Sequence, residues 1–313
     1  MIMKEFMIPF ATGLAIFLFG MQILRIGFEN LFLEKAKSLL AIFTKNPVMG
    51  FITGTIATAI LQSSSAVTLL TIALTHSRII TFRQSLGIIL GTNIGTTFTT
   101  EFIAFRIEHL GVYLFTLGFI LFFVPRVAIR STGFVLGGFG LLFLGMDIMQ
   151  SITPVVKQLG WMNHLYYFGQ DNILNGILAG TLLTAIIQSS TATTAITMNL
   201  IYDQLLPLSI AIAIILGSNI GTCITAVLGS IGTSHEAKKV ALSHVLLNLF
   251  GVILFVPLIP TLIYLVQTMT DDPSLQVAHA QMLFNVICSL VALPFIYYFE
   301  RLILYLTPSP KRA

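Results

Sequence analysis

An internal repeat of two polar motifs is the feature that most constrains this chain. Residues 54–68 and 180–194 align at an offset of 126 residues, with ten of fifteen positions identical. Residues 88–96 and 214–222 align at the same offset, with eight of nine positions identical. Two collinear matches at one spacing indicate two related structural units within the chain.

A third match sets the boundaries of these units. Residues 18–21 align with residues 143–146 at an offset of 125 residues, so each unit begins well before its first polar motif. We assign the first repeat to residues 1–130 and the second repeat to residues 131–313. The second repeat is longer and has room for one additional C-terminal span.

The composition identifies the environment in which the repeats fold. Of the 313 residues, 56% are hydrophobic and only 9% are charged, whereas about a quarter of the residues in a soluble domain are charged. Apolar segments that reach or approach the ~20 residues needed to cross a bilayer lie at 6–28, 110–124, 132–149, 241–266 and 276–299. We therefore expect an all-α polytopic membrane protein in contact with lipid. The net charge of +4 is small and scattered, and does not suggest a nucleic-acid partner.

The first polar motif interrupts an apolar stretch near its centre. Residues 47–75 carry no charge, but the polar run of residues 62–65 divides them into two arms. Each arm is too short to cross the bilayer at 1.5 Å per residue, and irregular backbone at membrane depth is tolerated only beside protein or water. The pattern predicts a re-entrant helical hairpin over about residues 47–75, and the repeat predicts a second over about residues 172–201.

The distribution of basic residues supports this interpretation and predicts an orientation. With hairpins and seven spans, thirteen Lys and Arg residues fall on one face and three on the other, whereas simple spans would give eleven and five. Because basic residues concentrate in the cytoplasm, we expect a cell-membrane protein with its N-terminus outside and its C-terminus in the cytoplasm. Three spans then separate Gly20 from Gly145, so the two repeats are inverted, an arrangement typical of secondary transporters.

The glycine-containing motifs predict a further irregularity in each repeat. We expect broken transmembrane helices over about residues 82–104 and 205–229, with backbone carbonyls freed at residues 91–95 and 217–221. Residues 30–45 mix apolar side chains with Glu and Lys, which predicts an amphipathic helix at the membrane interface rather than a span.

The two polar runs offer ligands for small ions. Helices that start just after the runs would direct free N–H groups and positive dipole ends at an anion. The candidate substrate-binding residues are Gln62, Ser63, Ser64, Ser65, Gln188, Ser189, Ser190 and Thr191. The same oxygens suit a hard cation, and the candidate sodium ligands are Gln62, Asn93, Thr96, Gln188, Asn219 and Thr222. An anion and a cation that share a neutral site offset each other's desolvation cost.

Structural roles are the alternative for several of these residues. The Ser and Thr residues could be interhelical hydrogen-bonding groups, and the glycines could be packing positions. His244 and Asn248, at i and i+4, favour a helix–helix hydrogen bond over a ligand site. Cys223 and Cys288 lie in apolar segments and are expected to pack as small apolar groups rather than form a disulfide.

With both Gln-Ser-Ser runs and both Gly-x-Asn-Ile-Gly-Thr runs identified, the chain resembles the type II sodium–phosphate cotransporter family over about residues 6–305. The resemblance implies sodium-driven symport of inorganic phosphate by alternating access, with sodium as the coupling ion and no other cofactor. Matched by position, Gln62 to Ser65 and Gln188 to Ser190 correspond to the family's Gln-Ser-Ser-Ser motifs. The residues alone support a small anion carried with a monovalent cation, and only the resemblance specifies phosphate. A homodimer is compatible with this assignment.

Departures from the family pattern are few. Thr191 replaces a serine of the second motif but keeps the hydroxyl. Residues 278–285 resemble a histidine-containing helix of the family, but Gln281 occupies the position four residues before Asn285. Many bacterial relatives append a cytoplasmic regulatory domain, which we expect this chain to lack. The alternatives are transport of another small anion, or an anion channel. An intramembrane enzyme is disfavoured because the serines have no evident base.

Overall fold

A computed structural model describes residues 2–105, 109–158 and 172–308 of the chain. Regular structure within these ranges is helical: α1 (Ile2–Phe43), α2 (Pro47–Leu61), α3 (Ser64–His76), α4 (Phe82–Ala104), α5 (Leu110–Phe122), α6 (Val127–Gln150), α7 (Thr153–Gln158), α8 (Ile173–Ile187), α9 (Ser190–Tyr202), α10 (Leu208–Gly221), α11 (Cys223–Gly229), α12 (His235–Phe255), α13 (Ile259–Met269), α14 (Pro273–Ala292) and α15 (Ile296–Leu306). Short 3₁₀ turns join α12 to α13 and α14 to α15.

Long apolar helices make this a multi-pass membrane protein. Five helical stretches are long and apolar enough to cross a membrane: Lys4–Phe43, Val127–Val155, Leu208–Gly229, His235–Met269 and Pro273–Leu306. The seven-span prediction also included α4 and α5. Of these, α4 has 23 residues but is rich in threonine, and α5 has 13 residues, so neither belongs to the five.

The first helices of the two repeats, α1 and α6, pack closely and antiparallel. A Cβ built on Gly13 would lie 2.7 Å from the carbonyl oxygen of Gly145, and one built on Gly27 would lie 2.8 Å from that of Ser131. Rising residue numbers in α1 therefore pair with falling numbers in α6. Glycine at these positions allows the two backbones to approach, the usual basis of helix association in lipid.

Each repeat contains the same packing of a short helix against a longer one. In the first repeat, a Cβ on Gly54 of α2 would lie 2.4 Å from the Ile88 carbonyl oxygen of α4. In the second repeat, a Cβ on Gly180 of α8 would lie 2.0 Å from the Ile214 carbonyl oxygen of α10. The partners of both contacts are 126 residues apart, so the sequence repeat is a repeat of packing.

The chain reverses direction between the short helix α2 and the longer helix α4. Gly87 near the start of α4 meets Pro47 at the start of α2, while Gly95 further along α4 meets Thr58 near the end of α2. The helices α2 and α4 are thus parallel, and α3, which separates them in the sequence, must run in the opposite direction. Asn46 caps α2 by accepting a hydrogen bond from the Met49 amide (2.9 Å), and Thr81 forms a capping box with Gln84 at the start of α4.

The prediction of a broken helix is wrong for the first repeat. The first broken helix is absent, because α4 is continuous from Phe82 to Ala104. In the second repeat, Thr222 separates α10 from α11 but keeps helical dihedral angles (φ −59°, ψ −26°). The glycines therefore serve close packing rather than helix breaking. Residues 30–43 are helical, and they continue α1 without a break; their position at the membrane interface stays a prediction.

Candidate ion-binding cavity

The two polar runs form tips of nearly identical geometry. Gln62 ends α2 in the left-handed region (φ 53°, ψ 30°), and Gln188 ends α8 in the same way (φ 58°, ψ 29°). The following serine is extended in both tips and caps the next helix. Ser63 Oγ accepts a hydrogen bond from the Ala66 amide, and Ser189 Oγ accepts one from the Ala192 amide, each at 3.2 Å.

These two tips meet at one cavity of about 460 Å³. It is lined by all eight residues of the polar runs: Gln62, Ser63, Ser64, Ser65, Gln188, Ser189, Ser190 and Thr191. The helices α3 and α9 begin at Ser64 and Ser190, so the first turns of both begin at the cavity. Amides in a first helical turn have no carbonyl one turn earlier to bond, and they favour an anion.

Several hydroxyl groups at the tips are available to a ligand. Among the described residues, the side chains of Ser64, Ser190 and Thr191 have no hydrogen-bond partner although they line the cavity. Both Ser190 and Thr191 are 7% exposed. Because these residues line the cavity, their hydroxyls can hydrogen-bond to a ligand that enters it.

The side chains around the two tips differ in their contacts. Thr99 donates a hydrogen bond to Gln62 Oε1 (2.6 Å), and Gln62 Nε2 donates to the Ala59 carbonyl (2.5 Å). Thr225, which corresponds to Thr99 in the second repeat, instead lies 3.4 Å from Ser65 Oγ of the first tip. Gln62 is thus anchored within its own repeat, while Thr225 connects the second repeat to the first tip.

The predicted cation ligands divide into two groups. Gln62, Thr96, Gln188 and Thr222 line the cavity. Asn93 and Asn219 do not, because they lie behind it: Asn93 Nδ2 donates to Asn248 Oδ1 (2.8 Å), and Asn219 Nδ2 donates to the Ile215 carbonyl (2.9 Å). At this cavity only the first group could hold a cation, and the sodium site remains a prediction.

Asn248 has the structural role expected of a polar residue inside a membrane protein. Besides accepting from Asn93, it donates to the Asn219 carbonyl (2.9 Å), so it connects α12 with α4 and α10. His244, one turn earlier, is buried with neither ring nitrogen hydrogen-bonded among the described residues. Cys223 and Cys288 are both free thiols, as predicted.

One charged residue of the cavity was not predicted as a site residue. Arg25 of α1 lines the wall with Gln22 and Met21, and it forms an ion pair with Glu29 (Nε to Oε1, 2.8 Å). No local pattern in the sequence marks Arg25 as a site residue, because its helix reaches the tips only through tertiary packing. Thr99 and Thr225 were also missed, although their offset of 126 residues could have identified them.

The sequence profile of the Na+/Pi-cotransporter family matches residues 16–151 and 160–269, which include both tips. The uncharacterized protein YqeW of Bacillus subtilis is 34% identical over 97% of this chain and 99% of its own length. No solved structure matches the chain.

Relatives with functional names match less of their own length. The Salmonella typhimurium protein YjbB, named as a candidate inorganic phosphate export protein, is 26% identical over 91% of this chain, which spans about half (52%) of YjbB. The human sodium-dependent phosphate transport protein 2B is 30% identical over 48% of this chain and 20% of its own length. Because the family profile matches most of its length, the chain belongs to the Na+/Pi-cotransporter family of membrane transporters.

Proposed function

We propose that this protein is a secondary transporter that couples the movement of inorganic phosphate to sodium. The observation that carries the proposal is the meeting of two polar tips, 126 residues apart in sequence, at one cavity. Phosphate is favoured among small anions because the family and the named relatives are phosphate transporters. Those relatives include both an export protein and a sodium-dependent transporter, so coupling and direction belong to the proposal.

The anion binds between the tips in this mechanism. Backbone amides at the starts of α3 and α9 and the hydroxyls of Ser64, Ser190 and Thr191 donate hydrogen bonds to the phosphate oxygens. Such bonds to an ionised acceptor are stronger than neutral ones. Sodium binds nearby through side-chain oxygens of Gln62, Thr96, Gln188 and Thr222, and its charge offsets that of the anion in the membrane interior.

Inverted repeats with re-entrant hairpins complete the proposed mechanism. The antiparallel packing of α1 and α6 is the relation expected for equivalent helices of inverted repeats. The short α2–α3 and α8–α9 pairs have 15 and 13 residues per helix, about 20 Å, less than a bilayer core of ~30 Å. We place the N-terminus outside the cell membrane and the C-terminus in the cytoplasm. The mechanism works equally in a monomer or a homodimer.

Uptake into proteoliposomes tests this function. Purified protein should accumulate labelled phosphate when a sodium gradient is imposed, and potassium or proton gradients of equal size should not replace it. Uptake of another anion in preference to phosphate would instead indicate a different substrate. Phosphate flux that persists without sodium and never exceeds equilibrium would indicate a channel and contradict the proposal.

A further inference from the structure

Arg25 is the one charged side chain among the described residues that line the cavity. The remaining lining side chains are neutral residues such as Leu, Ile, Met, Gln, Ser and Thr. The counter-ion of Arg25, Glu29, does not line the cavity, so the positive end of the ion pair is the one presented to the cavity. It attracts anions, and it attracts a doubly charged anion more strongly than a singly charged one.

The contacts of Arg25 leave part of its guanidinium available. Nε donates to Glu29 Oε1 at 2.8 Å, whereas the two Nη nitrogens have no hydrogen-bond partner among the described residues. Glu29 itself does not line the cavity. Arginine can bind two oxygens of one phosphate or carboxylate group through paired N–H donors, so an oxyanion can contact the Nη atoms or displace Glu29.

Arg25 lies one helical turn from a residue that contacts the second tip. Met21, one helical turn before Arg25 on α1, accepts a hydrogen bond from Ser189 Oγ at its sulfur (3.8 Å). One turn corresponds to about 5.4 Å along the helix axis, and helical side chains lean towards the N-terminus. In the structure the ion pair directs the guanidinium towards Glu29, in the opposite direction. Release from Glu29 would allow the guanidinium to approach Ser189.

We propose that Arg25 selects a doubly charged oxyanion at the cavity wall and delivers it to the tips, with Glu29 as the counter-ion that the anion displaces. This inference rests on the proposed function, and adds to it a charge that neither tip contains. Glu29 weakens anion binding by competing for the same guanidinium. The ion pair keeps the arginine neutralised until an anion arrives.

Two measurements with labelled inorganic phosphate test this proposal. The first is equilibrium binding to purified protein in the presence of sodium. The second is phosphate–phosphate exchange across the membrane of proteoliposomes, which does not depend on the orientation of the protein. Arg25→Gln should raise the half-saturating phosphate concentration roughly tenfold or more, the effect of losing a charge-assisted hydrogen bond. Arg25→Lys should have an intermediate effect. Glu29→Gln should lower the half-saturating concentration by roughly two- to fivefold, the scale of one partly exposed ion pair.

A matched control lies on the same helix. Lys37 and Glu34 form an exposed ion pair at 2.7 Å outside this cavity, so Lys37→Gln should leave phosphate binding unchanged. The measurement should be repeated at pH values below and above the second pKa of phosphate, where the monoanion and the dianion predominate. A purely structural role of Arg25 would not change the preference between these two species. The preference for the dianion should be present in the wild type and in Lys37→Gln, and lost in Arg25→Gln.

The outcomes separate this inference from the proposed function. A wild-type protein that neither binds nor exchanges phosphate overturns both. A wild-type protein that binds phosphate, with Arg25→Gln equal to Lys37→Gln, overturns the role of Arg25 alone. If Arg25→Gln fails to fold, as judged by gel filtration and melting temperature, the decision passes to Arg25→Lys and Glu29→Gln. Unchanged phosphate binding in both of these variants overturns the proposal.

Discussion

At the scale of single residues, each tip combines a strained position with a capping serine. Gln62 and Gln188 have positive φ angles of 53° and 58°, a backbone conformation that residues other than Gly, Asn and Asp rarely adopt. Such strain of about 1–3 kcal/mol persists where surrounding structure enforces it, often at functional sites. Ser63 and Ser189 compensate in part by capping α3 and α9. The same uncommon backbone conformation, followed by the same cap, therefore occurs in both tips.

The hydroxyls of the tips should be needed for transport but not for folding. Ser64→Ala and Ser190→Ala each remove a hydroxyl with no protein partner among the described residues, so the free energy of unfolding should change by about 0.5 kcal/mol or less. Each should weaken phosphate transport roughly 10- to 150-fold, the scale of a lost hydrogen bond to a charged group. Uptake and melting temperature should be measured on the same preparations.

A serine-to-alanine effect needs a control in the same helix. Thr75 of α3 donates to the Thr71 carbonyl away from the cavity, and Thr75→Ala should leave phosphate affinity unchanged. If Ser64→Ala and Ser190→Ala both retain wild-type affinity, the shared anion site is wrong. Impairment by only one of them would indicate that a single tip carries the anion.

Thr222 gives a residue-level test of the sodium site. Thr222 lines the cavity, and its hydroxyl, which donates to the Ser218 carbonyl (3.0 Å), keeps oxygen lone pairs for a cation. Thr222→Ala should therefore raise the half-saturating sodium concentration roughly 5- to 150-fold, corresponding to about 1–3 kcal/mol for a lost buried ligand. Thr222→Ser, which retains the hydroxyl, should restore sodium affinity. Asn219→Ala should have a smaller effect because Asn219 does not line the cavity. Equal sodium dependence of Thr222→Ala and wild type would exclude Thr222 as a ligand.

At the scale of helices, glycine determines how closely the short and long helices of each repeat approach. A Cβ on Gly217 would lie 2.0 Å from the Ile177 carbonyl oxygen, and a Cβ on Gly91 would lie 2.2 Å from that of Phe51. Backbone atoms cannot move aside as a flexible side chain can, so any side chain here would separate the helices. Because α2 and α8 end in the tips, their separation would also displace the cavity wall.

Replacing one of these glycines should therefore reduce both stability and transport. Gly217→Ala should destabilise the protein by about 1–3 kcal/mol, as overpacking of a core does. Gly137→Ala is the matched control, because the nearest atom to its added Cβ is 3.8 Å away. The control should be neutral, or stabilising by up to about 1 kcal/mol through helix propensity. Equal melting temperatures for the two variants would contradict the close-packing explanation.

At the scale of the whole molecule, the proposed inversion makes a prediction about membrane sidedness. Lys37 and Arg78 flank the first helix pair and should face the same compartment, the cytoplasm. Lys157 and Asp203 flank the second pair and should both face the opposite one. The physical reason is that α2–α3 and α8–α9 are each too short, helix by helix, to cross the bilayer.

Single cysteines at these four positions can be labelled from either side in a background that lacks Cys223 and Cys288. Membrane-impermeant reagent applied to intact cells should label positions 157 and 203, and label positions 37 and 78 only after permeabilisation. Labelling of positions 37 and 78 from opposite sides would show that the first helix pair crosses the membrane, and the inverted arrangement would then fail as well.

Some of the fold and the site could be predicted because the information is local or repeated in the chain. Long apolar segments identify membrane helices, since a long apolar stretch is poorly solvated by water. The 126-residue repeat placed Gln62 and Gln188 at equivalent interruptions, and both adopt the same dihedral angles. The helix ends at Leu61 and Ile187 lie where the polar runs begin. Similar local sequence therefore adopts the same backbone conformation in both repeats.

The helical membrane class, the repeated tips and the cavity-lining residues of those tips could all be predicted from local sequence patterns. Tertiary structure alone decided that glycines at Gly91 and Gly217 pack rather than break their helices, because only a facing backbone distinguishes the two roles. It also decided that Asn93 bonds Asn248 of another helix while Asn219 bonds the Ile215 carbonyl of its own helix, and that Arg25 of α1 reaches the cavity. Each of these depends on which helix lies opposite, and contacts between distant segments leave no periodic trace in the chain.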